Sequence, residues 1–339
     1  MQLTRFSRIL IVLLILGLVF LAYQKFAPSL QEKFGAVQST EEPAQNENTT
    51  PESQLPDANA SKQGENTAAA ARPSFDYQAP EPVNGSLKGV VELGAAGFNS
   101  FIVRIDKDKN WKLEKSEFGS SLVHEHMATD DDVRGGLKNY IRGMLDFGVP
   151  GKDIHFVVSS GAKSEPNVVK ISNGLKALGY FVNEVTPQQE GTFGLKCVMP
   201  ASLESESFMV DIGSGNTKIS WKTGTAIQAL ESHGSKYFQK NLTDDQVYTD
   251  VRKTISKIPS ANRGYCFIIG GIPFELAKQV RTGKERYTVL NAPADYKVNG
   301  EKQRAGINIY KAIAEETGCK KFVFDWDANF TIGFLLGLK

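Results

Sequence analysis

The sequence has no excess charge of either sign and very little cysteine or histidine. Its 39 Lys and Arg against 38 Asp and Glu leave a formal net charge of +1 over 339 residues. No basic surplus remains to neutralise a phosphodiester backbone, so nucleic acid is excluded as the expected partner. The three cysteines, Cys197, Cys266 and Cys319, are too widely spaced for a disulfide framework or a zinc site. They read as small buried hydrophobes. Two of the four histidines stand in His124-Glu125-His126, without a third ligand nearby, and read as a polar strand edge or loop. Asp130-Asp131-Asp132 reads as a helix opening, where negative charge suits the exposed N–H groups. Glycine, by contrast, is plentiful, with 31 residues often closing apolar runs. That excludes a coiled coil or simple bundle and favours an α/β fold.

One long apolar run, Ile9 to Tyr23, follows Arg5 and Arg8 and precedes Lys25. It is shorter than the roughly 20 residues of a typical span and at the upper edge of a signal-peptide core of about 7 to 15. Phe20 before Ala22 and Lys25 before Ala27 break the small-x-small cleavage pattern, so an uncleaved single-pass anchor is expected. The basic flank puts the N-terminus in the cytoplasm and the rest of the chain outside it. Residues 39–85 are rich in Pro, Glu, Asn, Ala and Thr. A stretch of that composition buries too little apolar surface to offset its ordering entropy and is expected to be a disordered tether. The expected organisation is 1–38 anchor and flanks, 39–85 linker, 86–203 first lobe and 204–339 second lobe.

The folded part reads as strands at Gly89–Leu93, Phe101–Ile105 and from Trp111, then a helix from Thr129 or Asp130 through Leu145 that Gly148 and Pro150 stop. A strand at Ile154–Ser159, a helix at Glu165–Leu178 and a strand at Tyr180–Val185 make a βαβ unit. The second half repeats this grammar. A strand at Phe208–Ile212 runs into Gly213-Ser214-Gly215, followed by strands at Asn216–Trp221 and Thr225–Glu231, a helix at Asp244–Lys257 and a strand at Tyr265–Ile269. Both halves open on a glycine-rich hairpin, a weak internal repeat.

Three motifs could carry chemistry. Glu92 ends a strand and is followed by Gly94, Asn99 and Ser100 in a hairpin. Backbone N–H groups in such a hairpin can approach a phosphate while the acid holds water or Mg²⁺, although an ordinary glycine hairpin reads the same way. Asp211 is delivered to Gly213, Ser214, Gly215, Asn216 and Thr217 in the same manner, with the same bland alternative. Gly270-Gly271 permits close approach of a ligand. In this order the three resemble the phosphate 1, phosphate 2 and adenosine motifs of the actin/Hsp70/sugar-kinase superfamily.

The intervening residues narrow the resemblance. Val157-Val158-Ser159-Ser160-Gly161-Ala162-Lys163, the helix to Gly179, and Thr186-Pro187-Gln188-Gln189-Glu190-Gly191 are similar to the exopolyphosphatase/guanosine pentaphosphate phosphatase family. So are the last helix, strand and helix from Arg304 to Leu336. The resemblance spans Ser86 to Lys339 and implies two RNase-H-like lobes of the actin-like ATPase type, with a phosphate-binding cleft between them. It further implies phosphoanhydride hydrolysis of polyphosphate or guanosine pentaphosphate, Glu190 orienting water, Mg²⁺ held by Glu92 and Asp211, and Lys163 neutralising phosphate charge. A C-terminal helix around Asn329 to Leu338 returning to the first lobe is expected. Asn329-Phe330-Thr331 itself reads as helix surface and core. The expected partners are a polyphosphate or nucleotide-like ligand and the membrane, and a homodimer is allowed for.

Four positions depart from the family. Gln189 stands where the family has a second Glu, Lys163 where it has Arg, Glu92 where it has Asp, and Thr331-Ile332 where it has Arg-Glu. These departures sustain a rival reading, a non-hydrolytic binding or scaffold protein on the same fold.

Overall fold

The computed structural model describes residues 74–94, 97–119, 138 and 141–338. The expected anchor, most of the tether, His124–His126 and the opening of the first expected helix lie outside them. No helix among the described residues is long and apolar enough to cross a membrane.

The first sheet begins as an antiparallel meander of β1 (Ser86–Gly94), β2 (Gly97–Ile105) and β3 (Trp111–Gly119). β4 (Ile154–Val158) then pairs parallel to β1, and β5 (Val182–Glu184) parallel to β4. The order is β3-β2-β1-β4-β5. The second sheet repeats it, with a meander of β6 (Ser207–Ile212), β7 (Asn216–Thr223) and β8 (Ala226–His233). β9 (Tyr265–Ile269) and β11 (Lys321–Asp325) follow in parallel, and the short β10 (Tyr287–Val289) is an antiparallel edge, giving β10-β11-β9-β6-β7-β8. The internal repeat in the sequence is therefore a repeat of topology. In both sheets the first strand sits between an antiparallel and a parallel neighbour, covered on both faces. This is why Phe208–Ile212 is a continuous apolar run broken only by Asp211, with every residue from 207 to 212 buried.

α1 (Pro166–Ala177) links β4 to β5, and α3 (Asp244–Ile255) links β8 to β9. α2 (Pro187–Val198) has no counterpart in the sequence expectations, nor have α4 (Gly271–Val280) and β10. The start of α2 is nonetheless written in a capping box. Thr186 Oγ1 accepts the Gln189 N–H, Gln189 Oε1 accepts the Thr186 N–H, and Pro187 occupies the first turn. α5 (Gly300–Thr317) packs along α3, and α6 (Phe330–Gly337) closes the fold.

α2 packs on β6, β7 and β8, and α6 packs on α2, β1 and β2, so the helix pair lies between the two sheets. Val90, Phe101 and Val103 of the first sheet, Leu195 and Val198 of α2, Met209 and Phe267 of the second sheet, and Phe330, Ile332 and Leu335 of α6 form one core. Burying each such side chain contributes roughly 1.5–3 kcal/mol. The helices approach so closely that a Cβ on Gly333 would sit 1.8 Å from the Phe193 carbonyl oxygen.

The tether was expected to run to residue 85, but residues 74–85 lie against the body. Phe75 and Tyr77 supply the apolar surface that the rest of the stretch lacks, and the Phe75 ring packs edge-on to Tyr265, Phe267 and Tyr287. The turn between β2 and β3 fastens two ends of chain: Val83 N–H donates to Asp106 Oδ2 at 3.0 Å, and Lys109 Nζ donates to the Leu338 carbonyl at 2.6 Å.

Candidate functional site

Both meanders carry an acid near the end of their first strand, facing a partner on the second. In the antiparallel register Glu92 stands opposite Asn99 and Asp211 opposite Lys218, so each pair shares a sheet face. Asn99 Nδ2 donates to Glu92 Oε2 at 3.0 Å, and Asn329 Nδ2 at the N-cap of α6 donates to the same oxygen at 2.9 Å. Asn329 Oδ1 also accepts the Thr331 N–H at 2.8 Å. Asn329 thus caps a helix and holds an acid, where the sequence suggested only helix surface and core. Burial pushes the Glu92 carboxyl above the usual range. The two amides work against that shift, and the charges of Glu190 and Asp211 add to it.

Glu190, in the first turn of α2, is 1% exposed. Its Oε1 accepts the Ser160 N–H at 2.7 Å and its Oε2 accepts the Ser160 hydroxyl at 2.8 Å. The Lys218 ammonium lies 2.8 Å from the same Oε2 and 3.7 Å from Asp211 Oδ2. Burial opposes the charge on Lys218, but Asp211 and Glu190 outweigh it and hold the ammonium above the ordinary lysine value. The result is a buried cation between two carboxylates, with a third, Glu92, close enough to act on it.

The glycines set how closely the backbone can approach this cluster. Gly270 has φ +105°, and a Cβ there would fall 2.5 Å from the Ile212 carbonyl oxygen and 2.6 Å from Asp211 Oδ1. Only glycine meets both demands. Gly161, in the short turn after β4, faces Gly215 of the second hairpin, where a Cβ on Gly215 would lie 3.7 Å from the Gly161 Cα. Asn216 Nδ2 bridges the same seam, donating to Ser160 Oγ at 3.3 Å and Glu231 Oε1 at 2.7 Å.

The structure therefore brings together Glu92, Asn99, Glu190, Asp211, Asn216 and Gly270. Gly213 and Ser214 form the turn behind Asn216, and their carbonyls accept the N–H groups of Ser235 and Lys236. The Thr217 hydroxyl is fully buried and donates to the His233 carbonyl at 2.6 Å, so it serves the β7–β8 pairing. Gly94 and Ser100 are buried at the first hairpin, and Gly271 is exposed at the start of α4. Lys163 is exposed, and its ammonium lies 3.9 Å from the exposed carboxylate of Glu184. The sequence reading missed Lys218, Ser160 and Asn329. For Lys218 a signal existed, since the Gly213–Gly215 turn fixes the hairpin register that sets it opposite Asp211.

Among the described residues no group of three or more His, Cys, Asp and Glu side chains is arranged to hold a metal ion. Glu92 and Asp211 do not fit Mg²⁺ as they stand. One Glu92 oxygen is taken by two amides, and the second acid faces an ammonium where a divalent cation would need to sit.

Two RNase-H-like sheets whose order matches over five strands, the second extended by β10, joined by a helix pair and carrying acids at matching places, define a two-lobed actin-like fold. Within that class the fold is that of the Ppx/GppA phosphatases. The chain is similar to the Aquifex aeolicus member of the Ppx/GppA family, with TM-score 0.57 and 18% identity over 74% of this chain and 96% of that one. It is also similar to an exopolyphosphatase from Cytophaga hutchinsonii, with TM-score 0.58 and 15% identity over 75% of this chain and 99% of that one. No protein-family model matches the sequence, and no curated protein matches it.

Proposed function

We propose that this protein is a non-hydrolytic binding or scaffold protein built on the Ppx/GppA phosphatase fold. The observation that carries the reading is the Lys218 ammonium between Glu190 and Asp211. A carboxylate that orients an attacking water has to reach that water and accept its proton. Both oxygens of Glu190 already accept hydrogen bonds, and the side chain is sealed from solvent. A transferring phosphoryl group needs positive charge and donors aimed outward into the cleft. Here the one buried cation of the cluster is neutralised by acids of the same chain, and Lys163 pairs at the surface with Glu184. In the second hairpin Gly215 is exposed and Gly213 and Ser214 are half-buried, which leaves a surface on which a phosphate chain could rest.

The same proposal keeps residues 9–23 as a single-pass anchor with the folded body outside the cytoplasm, on the asymmetry of Arg5 and Arg8 about the apolar run. A reporter that works only outside the cytoplasm, fused after Lys339, is expected to be active. Silence from a folded, membrane-bound fusion reverses that orientation.

The enzymatic reading retains one supporting observation, the convergence of Glu92, Glu190 and Asp211 on a single place in a fold shared with phosphatases. The test takes the full-length protein in detergent with Mg²⁺ and polyphosphate, guanosine pentaphosphate or ATP, and follows phosphate release beside equilibrium binding. No release from any of the three is expected. Release that Glu190→Gln abolishes in a folded protein overturns the non-hydrolytic reading and restores the hydrolase.

A further inference from the structure

Lys218 reaches the carboxylates from β7, directly opposite Asp211 on β6. Its ammonium lies 2.8 Å from Glu190 Oε2 and 3.7 Å from Asp211 Oδ2. A Cβ on Gly213 would lie 3.5 Å from the same Nζ, so the charge sits against the turn of the second hairpin. The side chains of Lys218, Glu190 and Asp211 are 7%, 0% and 12% exposed. Water therefore screens these acids little, and they need an opposite charge inside the cluster.

Mg²⁺ was the counter-charge expected beside Asp211, but a divalent ion and the ammonium compete for one place. An ion drawn to both Glu190 and Asp211 has to approach the position that Nζ holds, positive charge against positive charge. Glu190 and Asp211 offer a negative charge each, and burial makes Glu92 hold its proton more tightly than an ordinary carboxyl. Without Lys218 that pair would match a divalent ion in charge and, as hard oxygen ligands, in kind. The ammonium is also fixed to the chain, so chelation or dilution cannot remove it, as they remove a bound ion.

We propose that the Lys218 ammonium is a resident substitute for a divalent cation: it holds the place between Glu190 and Asp211, so that the wild-type cluster takes no metal ion and removing the side chain opens a site for one. The resident cation is read from the same ammonium as the non-hydrolytic function, but it stands or falls on ion binding and not on phosphate release. Two substitutions separate charge from space. Lys218→Ala removes every atom from Cγ to Nζ and leaves the two acids facing the vacated volume. Lys218→Met removes the charge but keeps most of that volume filled.

The full-length protein in detergent provides the test, with melting temperature and Mn²⁺ binding by electron paramagnetic resonance as the readouts. Mn²⁺ serves as the probe because it favours the same oxygen ligands as Mg²⁺. Wild type is expected to melt at the same temperature in EDTA and in millimolar Mg²⁺ or Mn²⁺, and to show no Mn²⁺ binding that Asp211→Asn removes. Lys218→Ala is expected to melt about 10 °C lower without ions and to recover about half of that loss in Mn²⁺ or Mg²⁺, but not in KCl of equal ionic strength. It should also bind Mn²⁺ at a site that Asp211→Asn in the same chain removes. Lys218→Met is expected to lose as much stability and to recover none of it. Ion binding at the wild-type cluster overturns the proposal, as does equal recovery of the Ala and Met variants or recovery of neither. If Lys218→Ala does not fold with or without the ion, the wild-type measurement decides alone. Phosphate release that persists in EDTA would end the non-hydrolytic reading and leave the resident cation in place.

Discussion

The two meanders are the same structure with different electrical solutions. In each, an acid near the end of the first strand faces a residue seven positions on across the hairpin. The first hairpin places an amide there, Asn99, and the acid meets burial by holding its proton more tightly. The second places an ammonium there, Lys218, and the acids around it are matched by an opposite charge. Duplicated topology thus leaves the chemistry of a matched position free, because the strand order fixes where the acid sits and not which side chain stands opposite it.

The sharpest way to break the comparison is to give the second hairpin a neutral partner. Lys218→Met leaves Glu190 and Asp211 buried without their cation, and is expected to cost about 3–5 kcal/mol in urea unfolding at neutral pH. A loss below about 1 kcal/mol would mean that the ammonium is not their counterion. Next come the glycines that flank the cluster. Gly270→Ala forces a side chain onto positive φ and into the Ile212 carbonyl, at about 2–4 kcal/mol. Gly161→Ala meets only ordinary contacts, the nearest at 3.8 Å, and should stay within about 0.5 kcal/mol in the same titration.

In the first hairpin Glu92→Gln keeps an oxygen for both amides while removing the ionisable group. Because burial raises the carboxyl in the folded state, ionisation opposes folding. Wild-type stability from this group is full below the unfolded value and falls as pH rises towards the folded one. The variant is therefore expected to match wild type in acid and to become the more stable of the two as pH rises. The effect should be smaller than that at Lys218, and melting temperatures across the pH range read it. A constant difference at every pH would place the cost of Glu92 in packing and not in charge. A modest effect is expected at the helix starts, where Thr186→Ala and Thr243→Ala each break a capping box and should each cost about 1 kcal/mol in urea unfolding.

What the sequence disclosed and what it withheld follow from range. The acids, the glycine hairpins and the order of strands around them are local patterns, so Glu92, Asp211, Gly270 and the repeated grammar were legible. The place of Lys218 opposite Asp211 could be read from the turn, but its pairing with Glu190 could not, since that forms only when α2 brings Glu190 over it. α2 was hidden by its own glycines. Gly191 and Gly194 weaken the helical pattern, yet a Cβ at Gly194 would meet Met209 Cε at 2.6 Å and one at Gly191 would press on Ala229 at 3.3 Å. Close packing on the second sheet thus overrides helix propensity. The docking of residues 74–85 was lost in a composition that describes residues 39–85 as a whole, while the rings of Phe75 and Tyr77 decide the behaviour of its last twelve residues.

The turn from Asp106 to Asn110 works as a gatepost. Asp106 holds the chain on its way in at Val83, and Lys109 holds it on its way out at Leu338. Whatever comes before the fold and whatever comes after it therefore pass through one corner, beside β3 and away from the carboxylates. A bulky label attached beyond Leu338 will crowd the incoming chain before it obstructs the site. The same proximity makes that corner the natural place for a pair of dyes, one on each side of the gatepost, to report whether the incoming chain is seated or released.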